Sequence, residues 1–167
     1  MFKFAPIAAV MALLAGCGFT PLHGQQQAGA NATSALRQVS VSPIAERVGQ
    51  LLRIELTNQL TPNGQPRSPA YVLDVSLTES KRDLAVRKDA TATRANLIIT
   101  ASFKLQDVQA EKILLDGKVR SVNSYNILDA DFATLSAESD ARRRAARDLA
   151  TEIRSRLGVF LSQQRAP

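Results

Sequence analysis

Ala95-Asn-Leu-Ile-Ile-Thr-Ala-Ser-Phe-Lys-Leu105 places Ala95, Leu97, Ile99, Ala101, Phe103 and Leu105 on one parity over eleven residues, the longest alternation in the chain. A strict period of two puts successive side chains on opposite faces, so this segment reads as a strand with one buried face. Upstream, Tyr71, Leu73, Val75 and Leu77 alternate with Val72, Asp74, Ser76 and Thr78, and the pattern runs on through Leu84 and Val86 before fading at Arg87-Lys-Asp-Ala90. Two such runs joined by a turn predict a long antiparallel hairpin. Downstream, Ile113, Leu115, Val119 and Tyr125 share a parity in one irregular strand over 113–126, interrupted at Asp116-Gly117 by a bulge or a turn.

Two helical stripes flank these strands. Val39 and Val41 form a short strand that ends at Ser42-Pro43, which predicts an N-cap followed by a first helical residue. Ile44, Val48, Leu51, Leu52, Leu56 and Leu60 then recur at helical spacing until Thr61-Pro-Asn-Gly-Gln-Pro66 stops them. A final helix is predicted over 138–161, capped by Ser136 or Ser139, with Ala141, Ala145, Leu149, Ile153, Leu157 and Leu161 on one stripe. At 1.5 Å per residue it would be roughly 36 Å long. The order β-α-β-β-β-α predicts an α+β two-layer sandwich: about four strands in a mixed sheet, with two helices packed on one face.

The N-terminus carries a different kind of signal. Lys3, an apolar run from Ile7 to Leu14, and small residues before Cys17 have the layout of a cleavable export signal over residues 1–16, too short to span a bilayer. Leu14-Ala15-Gly16-Cys17 is a lipobox, and Cys17 supplies the only thiol for acylation. Acyl chains contribute about 0.8 kcal/mol per buried CH₂, enough in number to hold a domain at a membrane surface. Gly18 stands where an aspartate would retain a lipoprotein at the inner membrane, so the expected location is the periplasmic side of the outer membrane. Residues 17–35 read as the acylated cysteine and a flexible tether, since Gln25 to Ser34 lacks large apolar groups. The folded domain is then expected over 36–163, with a tail at 164–167.

Composition excludes most chemistry. One cysteine in 167 residues leaves no disulfide, and with Cys17 acylated no thiol nucleophile remains. A single histidine, His23, provides no metal-ligand spacing, and there is no glycine-rich phosphate loop. Asp129 and Asp131 flank Ala130 and read as a turn before the last helix rather than as a catalytic pair. The reading is a non-enzymatic protein with no metal and no cofactor beyond the covalent lipid. Without residues 1–16 the chain keeps 20 basic against 15 acidic residues. Export excludes nucleic acid, and aromatics, at 5% of residues, are not interleaved with the cations as stacking platforms. Phosphorylated lipid headgroups and acidic protein surfaces remain as partners.

Lys81, Arg82, Arg87, Lys88 and Arg94 gather around the hairpin tip, with Glu79, Asp83 and Asp89 as partial compensation. They are either a solvated, edge-protecting set or a site for lipid phosphates, to which arginine's paired donors are suited. Arg142, Arg143, Arg144 and Arg147 oppose the dipole of a helix starting at 138, and Glu138, Asp140 and Asp148 stand close enough to neutralise them.

Cys17-Gly-Phe-Thr-Pro-Leu-His-Gly24, Ser124-Tyr-Asn-Ile-Leu-Asp-Ala-Asp-Phe-Ala-Thr-Leu135 and the terminal helix through Glu152-Ile-Arg-Ser-Arg-Leu157 together resemble the LPS-assembly lipoproteins of the LptE family, alphaproteobacterial type. The chain departs from the family at His23, where tyrosine is usual. The resemblance covers nearly the whole mature chain. It implies a sheet with two helices and a non-enzymatic lipoprotein of the outer-membrane lipopolysaccharide (LPS) translocon. Such a protein plugs and supports assembly of an LptD β-barrel and binds LPS during its transport to the outer leaflet. It also implies LPS contact through basic residues near the turn after the second strand, where Arg87 and Lys88 stand, with Arg82 and Arg94 beside them. Two alternatives are an auxiliary lipoprotein of a lipid-trafficking ABC transporter and, from another class, an envelope hydrolase.

Overall fold

The alternating segments fold into one four-stranded sheet in the computed structural model, which describes residues 32–86 and 92–164. β1 (Val39–Val41) is followed by α1 (Glu46–Leu60), then β2 (Tyr71–Val86), β3 (Ala92–Asp107), β4 (Lys112–Asn126) and α2 (Asp131–Gln163). The strands lie in the order β1-β2-β3-β4. β1 runs parallel to β2, and the other pairs are antiparallel, so the sheet is mixed and the predicted α+β order holds.

Ala95, Leu97, Ile99, Ala101, Phe103 and Leu105 are all buried, and their cross-strand partners put Leu73, Val75, Leu77, Val119 and Tyr125 on the same face. The helices cover that face. Ala141, Ala145, Leu149, Ile153, Leu157 and Leu161 of α2 are buried as predicted, joined by Ala146 and Ala150. Removing Leu149, Ile153, Leu157 and Leu161 from water contributes on the order of 1.5 to 3 kcal/mol each. Gln59 Nε2 of α1 donates to Thr151 Oγ1 of α2 at 3.4 Å.

Four local expectations are corrected. α2 begins at Asp131, not 138, behind Ala130 and with no side-chain cap from Ser136 or Ser139. Its first turns carry Phe132 and Leu135, which keep the helical phase of the buried stripe and yet are exposed, so the helix runs on past the stretch where its apolar face is covered. The Thr134 hydroxyl closes this start, accepting from Leu128 N–H at 2.9 Å and donating to Leu128 O at 3.1 Å. At 33 residues the helix is about 50 Å long.

α1 starts at Glu46 rather than at Ser42-Pro43, because Ser42 N–H donates to Leu73 O and extends the β1–β2 ladder instead of capping. Glu46, at φ 67°, turns the chain into the helix through a left-handed conformation. In β4 the irregularity falls at Leu114, left unpaired between Leu105↔Leu115 and Gln106↔Ile113. Ile113 is thereby flipped to the outer face and 45% exposed. Gly117 is a regular strand residue whose missing side chain makes room for the ring of Phe103, 2.9 Å from where a Cβ would stand. Finally, order reaches into the stretch read as tether: residues 32–36 form a helical turn that buries Ala35 and Leu36, with Leu36 against Gly158.

Gly49 sits mid-helix, where alanine would normally add about 1 kcal/mol of helix stability. Its Cβ would stand 2.6 Å from Ile44 Cγ2 and 3.0 Å from the Ile44 backbone carbon. Overpacking of this kind costs about 1 to 3 kcal/mol and outweighs the propensity gain. Gly49→Ala is therefore expected to lower the thermal unfolding midpoint, and a raised midpoint would show that Ile44 yields freely.

Candidate functional site

Strand parity sorts the charges at the hairpin end of the sheet. Arg82 pairs with Asn96, and Arg94 lies between Ala85 and Asn126, so both share the parity of the outer face, away from the helices, and both are exposed. Their expected compensators do not join them. Glu79 pairs with Ile99 and Asp83 with Ala95, on the inner parity. Among the described residues neither Arg82 nor Arg94 has an ion-pair partner. Arg87, Lys88 and Asp89 lie outside the described residues, as do Leu14, Ala15, Gly16, Cys17 and His23.

Lys81 leaves the tip set altogether. On the inner side its Nζ stands 2.5 Å from Glu138 Oε1, in a cluster that clamps α2 to β2. Arg142 reaches Glu79 Oε1 through Nη2 at 2.9 Å and Glu79 Oε2 through Nε at 3.2 Å, and also pairs with Glu138. Burial pushes the Glu138 carboxyl up, but the hydrogen bond from Lys81 and the charges of Arg142 and Lys81 outweigh it and hold its pKa below the usual value. The hydrogen bond to Glu79 raises Arg142 above its ordinary range against the opposing effect of burial. Burial, then the charge of Glu138, raises the Tyr125 hydroxyl.

The other arginines of α2 are largely consumed by the fold. Arg143 and Arg144 both pair with Asp140, and Arg144 also donates to Asn123 Oδ1 at 3.3 Å and Ser124 O at 3.2 Å. Asp148 compensates none of them. It accepts from Ser121 Oγ at 2.9 Å and Asn123 Nδ2 at 3.1 Å, tying β4 to α2. With the helix starting at Asp131, Arg142 to Arg144 stand well inside it and the dipole mismatch disappears. Sequence reasoning placed Glu79 at the tip and missed it as the anchor of Arg142; its odd number, shared with Tyr71 to Leu77, was the available signal.

Asp129 lies in the bend before α2 and Asp131 opens the helix. Among the described residues no group of three or more histidine, cysteine or acidic side chains is placed to hold a metal, and no helix is long and apolar enough to cross a membrane.

The lipopolysaccharide-assembly family model of LptE matches residues 36–157. The chain belongs to the LptE family. LptE proteins are non-enzymatic envelope lipoproteins of LPS assembly. The chain is 24% identical over 148 residues, covering 89% of it and 90% of its relative, to an uncharacterized protein of Rickettsia prowazekii (strain Madrid E). A putative lipoprotein from Caulobacter crescentus CB15 superposes with a TM-score of 0.70 at 25% identity, covering 80% of this chain and 98% of that one. Rare lipoprotein B from Shewanella oneidensis shares the fold, with a TM-score of 0.59 at 14% identity over 77% of this chain and 98% of that one. This LptE-like architecture puts Arg82 and Arg94 on the uncovered face of the sheet.

Because the folded pKa of Glu138 is depressed, its stabilising contribution is fully present above the ordinary carboxylate pKa and is lost as pH falls through the folded value. Glu138→Gln is expected to cost about 1 to 3 kcal/mol near neutral pH. The gap from wild type should close on acidification, as followed by urea unfolding at stepped pH. A gap that stays constant into the acid range would rule out a charge-dependent clamp.

Proposed function

We propose that this LptE-family chain is an outer-membrane lipoprotein, held on the periplasmic side by acyl chains on Cys17 in the lipobox Leu14-Ala15-Gly16-Cys17. It plugs and supports assembly of an LptD-type β-barrel and binds LPS during transport to the outer leaflet. The observation that carries LPS binding is the segregation of charge at the hairpin end. Arg82 and Arg94 are exposed on the outer face with no acidic partner among the described residues, while Glu79 and Lys81 are engaged on the other side. Arg87 and Lys88 stand between them in sequence together with Asp89, so residues 87–89 add one net positive charge. Arginine offers paired donors to phosphate oxygens, and such charge-assisted bonds are roughly twice as strong as neutral ones.

Plugging a barrel suits a body whose stability comes from its own apolar core. Cys17→Ala is expected to abolish incorporation of labelled palmitate into the protein, and labelling that persists would end the acylation reading. Tagged wild-type protein should bring down a large β-barrel on purification from outer membranes, and its failure to do so would end the plug reading. Arg87→Glu with Lys88→Glu is expected to weaken binding to purified LPS about tenfold or more while circular dichroism stays unchanged. Equal binding by the double variant would remove the hairpin tip from the LPS site.

A further inference from the structure

The outer face of the sheet holds a second concentration of positive charge, far from the hairpin tip. Arg120 of β4 pairs with Thr100, which pairs with Thr78, and Lys118 pairs with Ser102, which pairs with Ser76. Two adjacent rows therefore each present one cation and two hydroxyls on the side facing away from the helices. Strand geometry spaces the rows about 7 Å apart and spreads each row over about 10 Å. Every ion pair among the described residues includes a residue of α2, so neither Lys118 nor Arg120 is neutralised by one. The hydroxyls of Ser76, Thr78, Thr100 and Ser102 make no side-chain hydrogen bond within the described residues. Those of Ser40, Ser121, Ser124 and Thr134 are engaged.

The next row, Asp74–Lys104–Asp116, carries two carboxylates against one lysine and bounds the cationic area on one side with a net negative charge. A shallow groove of about 620 Å³ runs between the Lys118 row and this acidic one, with Asp74, Ser76, Ser102, Lys104, Asp116 and Lys118 in its lining, and Arg120 lies one row beyond it. On the other side lie only Ile98 and Val122 as apolar neighbours, and the aromatic residues of the described strands, Tyr71, Phe103 and Tyr125, share the inner parity.

We propose that the Lys118–Arg120 grid binds the phosphorylated sugar portion of an anionic glycolipid. The proposal rests on the reading of the chain as an LPS-binding protein and adds to it a contact roughly 14 Å along the strands from Arg82. Charge complementarity selects this occupant. Lysine and arginine supply donors to phosphate oxygens, and free hydroxyls can both donate to and accept from sugar hydroxyls. An acyl chain here would strip water from two charges and four hydroxyls without replacing their hydrogen bonds. The core of a protein interface favours aromatic residues and is poor in lysine, the reverse of this face.

The purified full chain is titrated by calorimetry with delipidated, phosphorylated LPS core oligosaccharide, in parallel with intact LPS. Wild type should bind, and Lys118→Glu with Arg120→Glu should weaken binding about tenfold or more, as should dephosphorylating the oligosaccharide. Thr100→Ala with Ser102→Ala, which keeps the charge, should weaken it severalfold and guards against a charge variant that misfolds. Oligosaccharide binding that survives both grid variants, but not Arg87→Glu with Lys88→Glu, overturns the grid and leaves the LPS reading standing. A wild-type chain that binds neither probe overturns both. Normal oligosaccharide binding by the grid variants, with loss of a copurifying barrel, assigns the face to protein and overturns the proposal.

Discussion

Six side chains of β3, from Ala95 to Leu105, are pressed beneath the alanine and leucine stripe of α2, and the arrangement of the molecule follows from that burial. Small residues at 141, 145, 146 and 150 let the helix approach closely, so the core gains dispersion contacts as well as removing apolar surface from water. Once one face of the sheet is fixed as the covered one, the period of two leaves no freedom about the other. Glu79 and Lys81 must face the helix, and Arg82, Arg94, Lys118 and Arg120 must face away. The distribution of charge is thus a by-product of core packing.

The inner ion cluster refines this arrangement. Arg142 and Glu138 come from α2, while Glu79 and Lys81 come from β2. A half-buried ion network adds little net stability compared with apolar packing, but it penalises any sliding of the helix that breaks its pairs. The cluster thus favours the placement of α2 in which Arg142 meets Glu79 and Glu138 meets Lys81.

Strand parity was legible from residue types because it reflects which side chains lose water. The three long strands, the two helices and their order could be read that way, and so could the outward course of Arg82 and Arg94. Helix starts could not. The α2 start depends on the hydroxyl of Thr134 folding back on Leu128, and the α1 start on Ser42 being spent in the β1 ladder, and neither has a periodic signature. The bulge at Leu114 was misplaced to Asp116-Gly117 because glycine in a strand signals either a break or a close neighbour. Here the neighbour, Phe103, was the reason. The cationic grid was invisible for another cause: Lys118 and Arg120 become a unit with Ser102 and Thr100 only once the register between β3 and β4 is known.

Leu36 lies beside Gly158, its Cδ1 3.9 Å from where a Cβ would stand, and this gives the molecule a polarity along its length. The chain enters the fold beside the last turns of α2, whereas Arg82 and Arg94 stand beside its first turns, with Ile127 N–H bonded to Thr93 O near the helix start. From Asp131 to Gly158 the helix rises about 40 Å. Whatever precedes residue 32 therefore joins the fold at the end opposite its exposed arginines, Arg82 and Arg94.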